Sequence, residues 1–140
     1  MSTQHHGRRN RLFGWSLFLV GILGGWYLGL WVFNGPLPSP ARFADYASLP
    51  RRLIRFAHIA CMALGLTNVL YGHELERVAL SDRARRFGSW CMITAGVLMP
   101  VLLTLTAFQN AWKWGLTIPS LAAFMGVAVV VRGLAAKETP

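Results

Sequence analysis

Three residues that open the second apolar segment of the chain could together bind a polar or anionic group. Arg51, Arg55 and His58 stand at i, i+4 and i+7, so they share one face of a helix. His58 is the only histidine within a predicted membrane span, and an ionisable side chain inside a bilayer marks a functional site by default. We therefore interpret the cluster as a candidate site for a quinone oxygen, a haem propionate or a lipid phosphate. The structural alternative is a pair of arginines that reach the membrane surface and a histidine bonded to the backbone.

A haem site is difficult to complete within this one chain. A haem held by two histidines needs imidazoles that face each other across a bundle. His73 follows His58 on the same predicted helix, roughly 22 Å away, and His5 and His6 precede the first span. The second ligand would have to be Met99, Met125 or a residue of another subunit. Our first expectation is that the chain binds no cofactor, and the alternatives are haem and quinone.

The residues that catalysis or transport usually requires are missing from the sequence. It contains no phosphate loop, no dinucleotide glycine fingerprint, no HExxH motif and no nucleophile elbow. Proton-coupled transport needs a carboxylate in the pathway, but every acid is predicted outside the membrane core: Asp45, Glu74, Glu76, Asp82 and Glu138. These absences favour a protein that is not an enzyme, and we predict neither a catalytic residue nor a metal site.

A row of glycines marks one face of the first apolar segment. Gly21, Gly25 and Gly29 repeat every four residues, and Gly14 lies on the same face. Small residues at this spacing let another helix backbone approach closely. The pattern specifies closeness and not the identity of the neighbour. It predicts a helix interface either within the bundle or with a second chain.

The composition shows which class of protein must hold these residues. Apolar residues make up 54% of the 140 positions and charged residues 14%, which excludes both a disordered chain and an ordinary soluble domain. The net charge of +9 comes from basic residues that flank apolar segments, so it indicates contact with a lipid bilayer and not with nucleic acid. The chain is therefore predicted to be an integral membrane protein.

Hydropathy and helix breakers divide the chain into four predicted spans. They form a single all-α domain, a four-helix bundle with short tails at 1–11 and 133–140. Asn34, Gly35 and Pro36 break the first helix. The predicted spans cover residues of about 12–33, 54–72, 87–108 and 114–131.

Orientation and localisation follow from the basic residues. Lys and Arg are more numerous in the two tails and in the loop between the second and third spans than on the other side. The positive-inside rule therefore predicts that both termini are cytoplasmic. The loops are compact and the sequence shows no signal that targets another membrane, so we expect the protein to lie in the inner membrane of a bacterium.

These observations lead to three expectations about function. The first is a small accessory or assembly subunit that associates with another membrane subunit, or with itself, through the glycine face. The second is a redox-associated subunit that binds quinone or haem near His58, Arg51 and Arg55. The third is a small oligomeric transporter.

Overall fold

Four long α-helices make up most of the structure. The computed structural model describes residues 4–32 and 35–137, and its helices are Gln4–Gly29 (α1), Leu49–Arg77 (α2), Asp82–Phe108 (α3) and Thr117–Lys137 (α4). Short 3-10 helices lie in two of the connections, at Ala41–Phe43 and Asn110–Leu116. The described ranges contain no strand. The predicted all-α fold is confirmed.

The four helical segments are long and apolar enough to cross a membrane. They alternate in direction, so the start of α1, the α2–α3 loop and the end of α4 lie at one end of the bundle. We call this end the terminal end. The α1–α2 and α3–α4 connections lie at the opposite end, which we call the loop end. The arrangement confirms the predicted four-span membrane bundle.

The helices extend beyond the predicted spans at the terminal end. Helix α1 begins at Gln4 and α4 continues to Lys137, so most of the two predicted tails is helical. Residues 1–3 and 138–140 lie outside the described part of the chain. Hydropathy locates only the apolar part of a helix, and polar turns beyond it remain helical when their side chains find partners.

Helix α1 ends earlier than predicted at the loop end. Its last residue is Gly29, and the next turns are tighter, with Leu30 N bonded to Tyr27 O at 3.2 Å. Leu37 N then bonds to Leu30 O at 2.9 Å and turns the chain back. The predicted span end at Phe33, and Asn34 of the predicted break, lie outside the described residues.

A serine precedes each of the next two helices, and only the second serine caps its helix through the side chain. Ser81 caps α3, because its hydroxyl accepts from Ala84 N at 3.3 Å. Ser48 precedes α2, and Pro50 stands in its first turn, where the missing N–H costs nothing. The Ser48 hydroxyl donates to Asp45 O at 2.8 Å instead of accepting from the helix, so it shapes the loop.

Helices α2 and α3 form the centre of the bundle. Helix α1 packs against α2 and α3, and α4 packs against α3 and a little against α2. Within the described residues, α1 and α4 do not contact each other and occupy opposite corners. The most enclosed apolar cluster joins the three helices α2, α3 and α4 through Tyr71, Leu75, Met92 and Val130.

Candidate functional site

The structure separates the two arginines of the predicted cluster from the histidine. The guanidinium carbons of Arg51 and Arg55 lie 4.9 and 4.3 Å from the ring centre of Tyr46. Arg51 also donates to Phe43 O and Ala44 O, both at 3.1 Å, at the end of the first 3-10 helix. Both side chains therefore hold the α1–α2 connection against α2, and neither is bonded to His58.

His58 lies against the glycine face of α1. Its Nδ1 is 2.7 Å from Gly21 O, and a Cβ on Gly25 would lie 2.6 Å from the His58 Cε1 atom. The absence of a side chain at Gly25 thus creates the space that the imidazole occupies. The histidine and the glycines form one contact, although sequence analysis treated them as two separate features.

Helix α2 covers most of the predicted glycine interface. Gly14 lies beside Gly65, where an added Cβ would be 2.5 Å from Gly65 O. An added Cβ on Gly21 would be 2.6 Å from Met62 Cγ, whereas one on Gly29 would meet nothing within 4 Å. Three of the four glycines therefore pack within the chain, and only Gly29 faces open space.

An apolar groove lies beside His58 in the loop-end half of the bundle. Its volume is about 840 Å³, a size that accommodates a small ligand. The walls come from α1, α2, α3 and the α1–α2 connection, and His58 is one of the few polar residues among them. No described residue bonds His58 Nε2, and the ring is only partly buried. The groove therefore combines an apolar wall with one available imidazole nitrogen.

A buried polar cluster, formed by Arg9, Asn10, Asn68 and Ser89, lies in the terminal-end half. Arg9 donates to Ser89 Oγ at 2.8 Å, and the Ser89 hydroxyl donates to Asn10 Oδ1. Asn10 Nδ2 donates to Asn68 Oδ1 at 2.9 Å, and Asn68 Nδ2 donates to Leu64 O and Met92 O. Because Asn10, Asn68 and Ser89 are all fully buried, the cluster ties α1, α2 and α3 together.

Sequence analysis missed this polar cluster. It assigned Arg9 and Asn10 to a tail, although Asn68 lies within the second predicted span. A buried amide needs hydrogen-bond partners. The presence of Asn68 within a span therefore already indicated that a polar cluster surrounds it. The missing information was that α1 begins early enough to bring Asn10 to the same depth.

The described acidic residues lie near the helix ends or in a connection. Glu74 and Glu76 stand in the last turns of α2 and Asp82 in the first turn of α3, while Asp45 lies in a connection. Arg11 pairs with Glu76 at 2.6 Å. In the described part of the chain, no three His, Cys, Asp or Glu residues are grouped to hold a metal ion.

The groove does not bring a second haem ligand to His58. Its walls include neither Met99 nor Met125, and His73 lies near the other end of α2. What the geometry offers is a mostly apolar site with one imidazole nitrogen that has no described partner. Comparisons with protein families, curated proteins and solved structures find no match to this chain.

Proposed function

We propose that this chain is a small non-catalytic accessory subunit of a complex in the cytoplasmic membrane of a bacterium. It associates with a different membrane protein through the α1 outer surface, which is the side of α1 opposite the glycines. This surface consists of Trp15, Ser16, Leu19, Leu23 and Trp26. The side chains of its four large residues are at least half exposed.

The observation that carries this proposal is the environment of Ser16. It lies exposed near the middle of α1, and no hydrogen bond joins its hydroxyl to any described residue. The exposed hydroxyls of Thr67 and Ser120 instead bond to the carbonyl one turn earlier, at 2.8 and 2.9 Å. An unpaired hydroxyl in hydrocarbon is unfavourable, so an acceptor on a neighbouring protein would stabilise this surface.

The packing of α1 supports the choice of this surface. The glycine face of α1 is occupied by α2, and α1 stands at a corner where it does not contact α4. The deep amides Asn10 and Asn68 are hydrogen-bonded within the chain, so neither is available to a transported solute. These features favour an accessory role over the third expectation, a transporter.

Co-purification with Ser16 variants tests the proposal. Ser16→Leu removes the hydroxyl and adds bulk, and we expect it to reduce recovery of the partner from native membranes at least tenfold. Ser120→Leu is the matched control, because it alters an exposed serine on α4, and it should leave recovery unchanged. Equal recovery with both variants, or purification of the wild-type chain alone, would refute the proposal.

The groove favours a second candidate function, that of a redox-associated subunit which binds quinone or haem near His58. Visible absorption spectra of the protein in mild detergent, oxidised and then reduced with dithionite, test the haem form of this candidate. A Soret band that is lost in His58→Ala would support haem bound at His58. A colourless sample would exclude haem and leave quinone as the ligand of this candidate.

A further inference from the structure

The groove is a membrane-embedded space that hydrocarbon or a lipid-soluble ligand must fill. At about 840 Å³ it lies between three helices, and the hydrocarbon of a bilayer supplies no water to fill an apolar space. Its walls are mostly apolar along α1 and α3. They include Leu17, Val20, Leu28, Val97, Val101 and Leu105.

His58 offers the groove a hydrogen-bond acceptor, whereas Tyr27 and Trp31, which also line it, carry donors. A carbonyl oxygen only accepts, so the 2.7 Å contact with Gly21 O places a proton on His58 Nδ1, and in this tautomer of the imidazole Nε2 is the acceptor. Pro100, which also lines the groove, has no N–H to donate to Gly96 O one turn earlier. A ligand that pairs with His58 Nε2 must donate a hydrogen bond.

Aromatic side chains line the loop-end part of the groove. The rings of Trp31 and Phe43 are stacked, with centres 5.9 Å apart and planes at 18°. Tyr27 contacts Trp31 edge to face, and Phe108 contacts Phe43 in the same way. All four line the groove. Such a wall suits a planar aromatic head.

We propose that the groove binds a quinol, a planar aromatic diol with a long apolar tail. One quinol hydroxyl donates to His58 Nε2, the ring lies against the aromatic wall, and the tail follows the apolar residues of α1 and α3. The oxidised quinone has carbonyl oxygens in place of the hydroxyls, so it presents acceptors to an acceptor and binds more weakly. This inference rests on the second candidate function and does not require the partner on α1.

Calorimetric titration of the full chain in mild detergent, under anaerobic conditions, tests the inference. The probes are decylubiquinol and decylubiquinone. We expect the dissociation constant of the quinol to be at least tenfold lower than that of the quinone. Equal affinities for the two probes, or no detectable binding of the quinol, would overturn it.

Two substitutions connect quinol binding to the groove and to the imidazole. Val97→Trp fills the groove, and Val127→Trp is its matched control on α4, where Val127 is exposed to a similar extent, 47% against 44%. We expect Val97→Trp and His58→Leu each to weaken quinol binding at least tenfold, and Val127→Trp to leave it unchanged. Unchanged quinol binding in Val97→Trp, or in a folded His58→Leu variant, would overturn the proposed site.

Co-purification separates this inference from the accessory role. Val97 faces the groove and not the α1 outer surface, so Val97→Trp should retain the partner while it loses quinol. Ser16→Leu should show the opposite pattern. Loss of quinol binding together with the partner in Val97→Trp would contradict a site formed by this chain alone.

Discussion

Asn68 connects more helices than any other polar side chain of the spans. It accepts from Asn10 on α1 at 2.9 Å and donates to Met92 O on α3 at 3.1 Å, while it is itself part of α2. Apolar packing alone holds helices in a membrane weakly, because lipid tails are as apolar as leucine. Specific hydrogen bonds of this kind therefore fix which helices meet and at what height.

Asn68→Leu should destabilise the bundle while it preserves side-chain size. The variant leaves the Asn10 amide buried without its acceptor, and we expect a loss of about 1–2 kcal/mol in the free energy of unfolding. Titration with a denaturing detergent measures the change. Thr67→Ala is the control, because Thr67 is exposed and bonds only within its own helix. A loss in Thr67→Ala equal to that in Asn68→Leu would contradict the role given to Asn68.

Gly25 and Gly29 should respond differently to the same substitution. Gly25→Ala places a Cβ 2.6 Å from the His58 ring and must displace it, whereas Gly29→Ala meets open space. We expect Gly25→Ala to lower the free energy of unfolding by about 1–3 kcal/mol, and Gly29→Ala to leave it unchanged or to raise it. If both variants unfold at the same detergent concentration, His58 does not pack on Gly25.

For single residues, the sequence predicts which helix face a side chain lies on better than which residues it contacts. The spacing of Gly14, Gly21 and Gly25 predicts a close helix interface, and the structure supplies α2 as the neighbour. Arg51 and Arg55 share a helical face with His58, but their long side chains extend to Tyr46 and the backbone. Helical spacing fixes where a side chain starts, and tertiary contacts decide where its charged end lies.

Arg85 holds the turn between α2 and α3 together. It is buried and donates to the carbonyl oxygens of Leu75, Val78 and Leu80, with the latter two bonds at 2.8 and 3.1 Å. These carbonyls lie at the end of α2 and in the loop, where helix hydrogen bonds are lacking and cations are favoured. One guanidinium group therefore closes the end of a helix and fixes the loop that follows.

Arg85→Ala should loosen this turn, and Arg83→Ala should not. Removal of the charged donors leaves several carbonyls unpaired, for which we expect a loss of about 2–3 kcal/mol in the free energy of unfolding. Arg83 is exposed in the same turn of α3 and serves as the matched control. Hydrogen exchange of the α2–α3 turn measures the local effect. Equal exchange rates in the two variants would contradict the capping role.

Element boundaries show where hydropathy is insufficient. Arg8, Arg9 and Arg11 indicate a polar tail by composition, yet they belong to α1. Arg9 bonds Ser89 and lies over Trp90, and Arg11 pairs with Glu76. The four spans were predictable because apolar runs are long, whereas these polar extensions depend on contacts between helices that the sequence pattern does not contain.

The whole molecule has two differently built halves. The terminal-end half contains the polar cluster and the Arg85 turn, which bond the helices to one another. The loop-end half contains the groove, which is lined by residues of α1, α2 and α3, with His58 among them. The orientation with both termini in the cytoplasm stays a prediction from the distribution of basic residues.

Fold and function differ in how far the sequence predicts them. Apolar runs and helix breakers predict four spans because the bilayer imposes a length on each span. The groove and the unpaired Ser16 hydroxyl become visible only once the helices are placed, since each depends on what the neighbouring helices leave open. The proposals about function are therefore drawn from the groove and from the α1 outer surface.

Photo-crosslinking from the α1 outer surface in native membranes tests the accessory role most directly. A photoreactive phenylalanine at Leu19 should form an adduct with a different membrane polypeptide. The same group at Phe124 on α4, whose exposure is 69% against 60% for Leu19, should form adducts only with lipid. Adducts from Leu19 that are confined to lipid, or to a second copy of this chain, would contradict the account.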